Sequence, residues 1–438
     1  MSHTEHPPAT SAPDRAALPR PSPPSPSTPA TTPRRGAQIR LAVALVLGGA
    51  LWIGPFVGMI SVLLPAQLEI VAPDRKVSLV ATLSIVGSIV ALLANILFGA
   101  LSDLTRSRMG KRAPWMILGS VMTAAMLVVL SRSHDVTVIV VIWCVFQLFL
   151  NAIVGPIVAI VPDRVQQRLR GTYSAIYGVG VLAGSSGATI LASRYITDPT
   201  AGMLVLAGVI LLAGPVVAVL APDRSNTHEP RAKFSRATLL TNFTPPRHDA
   251  RDFYLALAGK LLFVLSMYAI TGYQLYILTD YLELDGVAAG AVIATMATVQ
   301  LVLSLVFGAI SGPISDRIGR RKPLVVGSAL LMAAATSVPF FWQAPAAMIV
   351  FAVVGLGIAS GVYNSVDQAL NYEVLPDPHT AAKDLGMLNM ANTGGQILGP
   401  VLTSAVVAGL GSYRPVFLVA ALVGVASALL IAPIRRSR

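Results

Sequence analysis

The chain is poor in charge, cysteine and histidine, and each shortage excludes a class of protein. Only 12% of its 438 residues are Asp, Glu, Lys or Arg, against 54% hydrophobic. That is too little polar surface to cover a water-soluble globule of this size. The one cysteine, Cys144, stands in an apolar run, so no disulfide framework holds the fold. The six histidines all lie in tails or connectors and cannot build a metal site, and no Gly-x-x-x-x-Gly-Lys-Ser/Thr phosphate loop is present. Neither a cofactor nor an enzyme is expected. Acidic residues are the scarcer charge, 20 against 32 basic, for a formal charge of +12. The basic residues are scattered through connectors rather than gathered into a domain, which argues against a nucleic-acid partner.

Long apolar runs are abundant. A hydrocarbon core about 30 Å thick takes about 20 apolar residues per helix. Twelve such runs follow one another, over about 41–66, 78–102, 113–131, 136–161, 172–193, 201–221, 253–279, 287–311, 323–342, 346–374, 384–409 and 412–434. They predict an all-α membrane protein. Residues 1–38 hold ten prolines without apolar periodicity and read as a disordered cytoplasmic tail. A first six-helix bundle is expected over 39–221, a cytoplasmic linker over 222–251, a second bundle over 252–434 and a short basic cytoplasmic tail over 435–438.

Lys and Arg residues concentrate on the cytoplasmic side of multi-pass proteins. With twelve spans and the amino terminus inside, 26 of the 32 fall on that side, 5 fall outside and Lys260 lies within a span. Both termini are therefore expected in the cytoplasm. The two halves also repeat. Gly99-Ala-Leu-Ser-Asp103, followed by Arg106, Arg108, Gly110, Lys111, Arg112 and Pro114, has its counterpart in Gly312-Pro-Ile-Ser-Asp316, followed by Arg317, Gly319, Arg320, Arg321, Lys322 and Pro323. The Asp residues are 213 apart; Pro162-Asp163 and Pro376-Asp377 are 214 apart; Gly171, Gly180 and Gly184 match Gly386, Gly395 and Gly399 at 215. An even number of spans separates the copies, so the repeat is parallel.

These motifs resemble those of the major facilitator superfamily, whose connector Gly-x-x-x-Asp-Arg-x-Gly-Arg-Arg/Lys is matched by Gly312 to Lys322. The longer first copy, Asp103 to Trp115, resembles the glycoside/cation symporters and the sucrose-transporter-like branch, and Leu375 to Gly386 with Asn389 and Asn392 is similar to the latter. The resemblance implies two six-helix bundles working by alternating access. It also implies that Asp103, Arg106, Arg108, Gly110, Lys111 and Arg112, with Asp316, Arg317, Gly319, Arg320 and Arg321, gate one conformation through charge contacts at helix ends. Spans one, two and four carry no carboxylate at mid-depth, which argues against sodium as the coupling ion. Drug exporters of the superfamily carry Gly-x-x-x-Gly-Pro in span five, where this chain has Gly180-x-x-x-Gly184-Ser185.

Two charges lie deep in spans, where each costs at least about 2.5 kcal/mol unless compensated. Lys260 of span seven and Asp367 of span ten share a depth of roughly 12 Å from the cytoplasmic end. In the superfamily these spans line the pathway, so the two could face one another across it. They are the candidate proton-coupling pair. Asp280, Glu283 and Glu69, near outer span ends, read as solvated boundary charges. Amides and aromatic rings at depth suit a hydroxyl-rich ligand. The candidate solute contacts are Gln147, Asn151, Tyr177, Tyr268, Tyr273, Gln274, Asn364, Gln368, Asn371, Asn389, Asn392 and Gln396, although any of them could instead bond a neighbouring helix. The expectation is a plasma-membrane transporter driven by an ion gradient, most simply of protons, that takes up a sugar or similar polar organic solute. Its partners are the solute and the lipid bilayer, with no obligate protein partner. Proton-coupled export of drugs or amphipathic metabolites is the alternative.

Overall fold

The computed structural model describes residues 35–223, 225–228, 246, 250–375 and 381–435. Among them are twelve helices long and apolar enough to cross a bilayer, and no strand. They run α1 Arg35–Val71, α2 Pro73–Leu104, α3 Ala113–Leu130, α4 Val136–Arg164, α5 Gln167–Tyr195, α6 Pro199–Leu220, α7 Arg251–Thr271, α8 Gly286–Ile318, α9 Lys322–Phe341, α10 Pro345–Asn371, α11 Asp384–Leu410 and α12 Arg414–Ile431. The expected fold class is thus the one found: without water, every backbone N–H and C=O needs an internal partner, and a helix supplies it. The proline-rich tail through residue 34, most of the 222–251 connector, the Pro376-Asp377 pair and residues 436–438 fall outside the described residues. Residues 35–38, placed in the tail from sequence, are helical instead. The hydrocarbon edge does not end a helix, and a charged first turn keeps its hydrogen bonds while its arginines reach water.

In the first half α1 lies along α5, α2 along α4 and α3 along α6; in the second α7 lies along α11, α8 along α10 and α9 along α12. The same pairings six helices apart are the parallel repeat in three dimensions. The halves meet where α2 packs on α11 and α5 on α8. Both described chain ends lie on one side of the bundle, called here the terminal face; the opposite side is the far face.

The glycines that recur between the halves sit where backbones touch. A Cβ on Gly180 would lie 2.2 Å from the Val46 carbonyl oxygen, and one on Gly184 2.4 Å from Ala50 Cα. At the equivalent α11 positions, Gly395 and Gly399 would meet Val264 Cβ at 2.6 Å and the Ala269 nitrogen at 2.8 Å. Small residues are what permit such approach in lipid. Helical winding also loosens to i→i+5 bonding at Met59–Leu63 in α1, Phe351–Ala359 in α10 and Ile277–Tyr281 after α7. Such bulges gather at functional sites, and Ser61 and Leu356 within them belong to the cavity wall described next.

Gly184→Leu is expected to disrupt the α1–α5 seam by about 1–3 kcal/mol or more, read as a lower unfolding midpoint and an aggregated fraction on size exclusion in detergent. Gly187→Ala, whose Cβ would have nothing within 4 Å, is expected to leave both measurements unchanged.

Candidate functional site

A cavity of about 280 Å³ lies between the halves. The first half contributes Trp52, Phe56, Ser84, Ser88, Gln147, Ser185, Ser186 and Thr189 to its wall, and the second Tyr268, Thr271, Gln274, Gln300 and Gln396. Among the described residues lining it, none bears a charge. Ser84, Ser185 and Thr189 donate their hydroxyl protons to backbone carbonyls three or four residues back, at 2.8, 3.0 and 2.9 Å. Their oxygen lone pairs are left as acceptors, while the glutamines can donate and accept. The indole nitrogen of Trp52 donates to the Tyr177 hydroxyl at 3.0 Å, which holds the ring against the cavity.

Of the residues expected to meet solute, Gln147, Tyr268, Gln274 and Gln396 are on the wall. Tyr177 stands behind Trp52. Asn151 donates to the Gln147 carbonyl at 2.9 Å and accepts from Asn95 at 3.4 Å, joining α4 to α2. Tyr273 is buried, donating to the Val77 and Pro400 carbonyls at 2.7 and 3.3 Å. Asn364, Gln368 and Asn389 are exposed on the terminal-face parts of α10 and α11, with Asn392 donating to Asn389 at 2.8 Å. Amides within a membrane helix are accommodated by water or protein rather than by lipid. Nothing in the sequence marks the wall serines, Trp52 or Gln300. A serine in an apolar helix commonly bonds its own backbone and gives no signal of its own.

Lys260 and Asp367 do meet, at 2.7 Å, and each is 4% exposed. Asn371 donates to the same carboxylate oxygen at 2.9 Å, and Tyr363, stacked on Phe263 at 3.7 Å between centroids, contacts Asp367 as well. The pair does not face across the pathway as the sequence suggested. It is packed inside the second half, two turns toward the terminal face from Tyr268 and about 12 Å from it along α7. Both helices belong to the same bundle, so their facing sides meet there and not across the seam.

The far face is closed by contacts between the halves. Lys76, at the start of α2, holds Glu69 at the end of α1 at 2.5 Å and reaches over to Asp280 beyond α7 at 2.8 Å. Its ammonium also sits 4.8 Å from the Tyr276 ring centroid, and the Tyr276 hydroxyl donates to the Pro65 carbonyl at 2.8 Å. Burial, and then the Asp280 charge, push the nearby Tyr413 phenol up, so it stays neutral. Glu69 and Asp280, read from sequence as solvated boundary charges, are parts of this bridge. Glu69 and Lys76 flank the short α1–α2 turn, but Asp280 lies 204 residues from Lys76, a pairing that no sequence spacing marks.

At the terminal face the repeated connectors form ion pairs within each half. Arg112 holds Asp163 at 2.6 Å and Asp103 at 3.7 Å, and Lys111 reaches the same two at 3.3 and 3.6 Å. In the second half Arg321 holds Glu373 at 2.9 Å and Asp316 at 3.6 Å. Gly110 and Gly319 take left-handed φ values of 81° and 64°, and a Cβ on Gly110 would lie 2.2 Å from the Asp223 side chain. Arg106, Arg108, Arg317 and Arg320 are exposed there.

Replacing Lys76 by Met is expected to shift the population toward a state open at the far face by about fivefold, since partly exposed ion pairs are worth on the order of 1 kcal/mol. Spin labels placed on the far ends of α2 and α8, in a background lacking Cys144, would report the longer distance.

The family comparison agrees with this geometry. The chain matches the Major Facilitator Superfamily over residues 41–311 and 261–438. Its fold is similar to that of the nucleoside transporter NupG in a mutant form, with a TM-score of 0.72 at 15% identity, covering 90% of this chain and 99% of that one. It is also similar to a bacterial homolog of the human lysosomal transporter Spinster in an inward-facing, unoccupied conformation, with a TM-score of 0.65 at 12% identity, covering 92% and 96%. No curated protein matches it in sequence. The twelve helices, their parallel repeat and the cavity between the halves are those of a secondary transporter, and the chain belongs to the Major Facilitator Superfamily.

Proposed function

We propose that this transporter takes up an uncharged, hydroxyl-bearing organic solute together with protons, in the plasma membrane, with the terminal face cytoplasmic. The observation that carries the reading is the cavity wall: hydroxyls and amides to pair with solute hydroxyls, Trp52, Phe56 and Tyr268 to cover an apolar ring face, and no ionised side chain among the described lining residues. A charged solute would find no counter-charge there. Sugars fit this description, as does the ribose of a nucleoside, the solute class named for NupG. The motif resemblance to sugar symporters points the same way.

Asp367 is the proposed proton site. While ionised it neutralises Lys260 inside the second half. Protonation removes that attraction, and α7 and α10, which also carry Tyr268 and Leu356 of the cavity wall, are freed to move relative to one another. Coupling then acts through these helices rather than by contact between proton and solute. Tyr273, bonded across the halves to Val77, belongs in this scheme to the gate.

Uptake of labelled sugars, nucleosides and amphipathic dyes into proteoliposomes under an imposed pH gradient tests the reading, with net dye extrusion favouring the exporter alternative. Asp367→Asn alone leaves Lys260 buried and unpaired, at a cost of about 3–5 kcal/mol. Pairing it with Lys260→Gln is expected to restore folded protein. Solute exchange should survive in the double variant while accumulation driven by the gradient is lost. Gradient-driven accumulation at the unmodified level would remove Asp367 from the mechanism.

A further inference from the structure

We infer that the terminal face carries a second binding site, for the phosphodiester headgroup of an anionic phospholipid, outside the solute passage. A cavity of about 300 Å³ is formed there by the ends of α1, α4, α5 and α6, lined by Arg40, Arg164 and Arg168, and among the described residues lining it none is acidic.

The three arginines differ in how far they are already engaged. Arg164 is committed to Asp223 at 2.9 Å and to the Ala221 and Pro222 carbonyls at 3.0 and 3.2 Å, closing the end of α6. Arg40 bonds the Val219 carbonyl at 3.2 Å, and Arg168 donates through Nε to Gln166 at 3.2 Å. A guanidinium has five N–H groups, so Arg40 and Arg168 retain most of their donors. Asp223 compensates Arg164, and among the described residues neither Arg40 nor Arg168 has an ion-pair partner. Two fork-shaped cations lining one half-open cavity have the donor chemistry that a phosphate's oxygens take.

The setting decides for a lipid over a free anion. The rest of the wall is apolar, including Leu41, Leu169 and Leu220. Next to it, Ile39, Val43 and Leu47 recur every fourth residue along α1 as an exposed stripe, and Val219 of α6 is 70% exposed. A soluble phosphate would use the cations alone. A phospholipid uses them at the hydrocarbon edge and lays its acyl chains along the exposed stripe. On the orientation proposed above, the site belongs to the cytoplasmic leaflet, the more anionic one, but its chemistry does not depend on the transported solute.

Native mass spectrometry of the full chain, equilibrated in micelles holding equal phosphatidylglycerol and phosphatidylcholine, tests the site. The wild type is expected to retain phosphatidylglycerol preferentially. Arg168→Gln, which removes no bond to a helix end, should lower that enrichment about fivefold and Arg40→Gln/Arg168→Gln about 30-fold, the equivalent of about 1 kcal/mol per guanidinium. Arg168→Lys should keep most of it. Undiminished enrichment in a double variant that elutes as folded protein would overturn the proposal. So would displacement of phosphatidylglycerol by millimolar inorganic phosphate, which would make this a site for a soluble anion.

Discussion

A hydrocarbon slab tolerates neither an unpaired peptide group nor an uncompensated charge, and the architecture follows from those two prohibitions. The first makes every crossing a helix. The second sends polar side chains to the seam between the halves, where a cavity gives them water or solute, and leaves a charge elsewhere at depth only as a pair. Lys260 with Asp367 is that pair: one carboxylate oxygen accepts from both the ammonium and Asn371, and the whole group is sealed inside the second half. Losing its partner costs a charge so enclosed far more than it would in water.

The ion pairs divide between a bridge that spans the seam and others that stay within one half. Lys76 reaches across the seam to Asp280 but also holds Glu69 on its own half. When the far face opens, Lys76 keeps a partner and Asp280 is released to water. At the terminal face the pairs built around Arg112 and Arg321 each stay within one half. Within each half, the glycine contacts of α1 with α5 and of α7 with α11 bring backbones into close contact. The cavity lies between the halves, while the Lys260 pair lies inside the second.

Much of this was legible in the residue pattern. The twelve crossings and the parallel repeat follow from hydropathy and from the matching Asp, Pro-Asp and glycine positions, because a span is selected by average apolarity and a repeat by spacing. Lys260 and Asp367 were readable because isolated charges at depth are costly. The cavity was half legible: Gln147, Tyr268, Gln274 and Gln396 are on its wall, whereas Asn151, Tyr177 and Tyr273 at comparable depth face neighbouring helices or support the wall from behind. Depth can be counted along a chain, but the rotation of a helix about its own axis depends on what it packs against. The hydroxyl-rich side of the wall is not legible in the sequence for a related reason: serine bonds its own backbone as readily in a lipid-facing helix as at a binding site.

What the sequence determined by itself, then, is everything that each residue settles with the bilayer alone: which segments cross, how often, and where a buried charge demands a partner. Only the tertiary structure decided the rest: that Lys260 and Asp367 pair within one half, that Lys76 closes the far face through carboxylates 7 and 204 residues away, and that two arginines are left with spare donors beside a cavity at the terminal face. Those outcomes depend on helix rotation and on the tilt of one half against the other. Both are set by contacts between segments remote in sequence, and hydropathy carries no information about either.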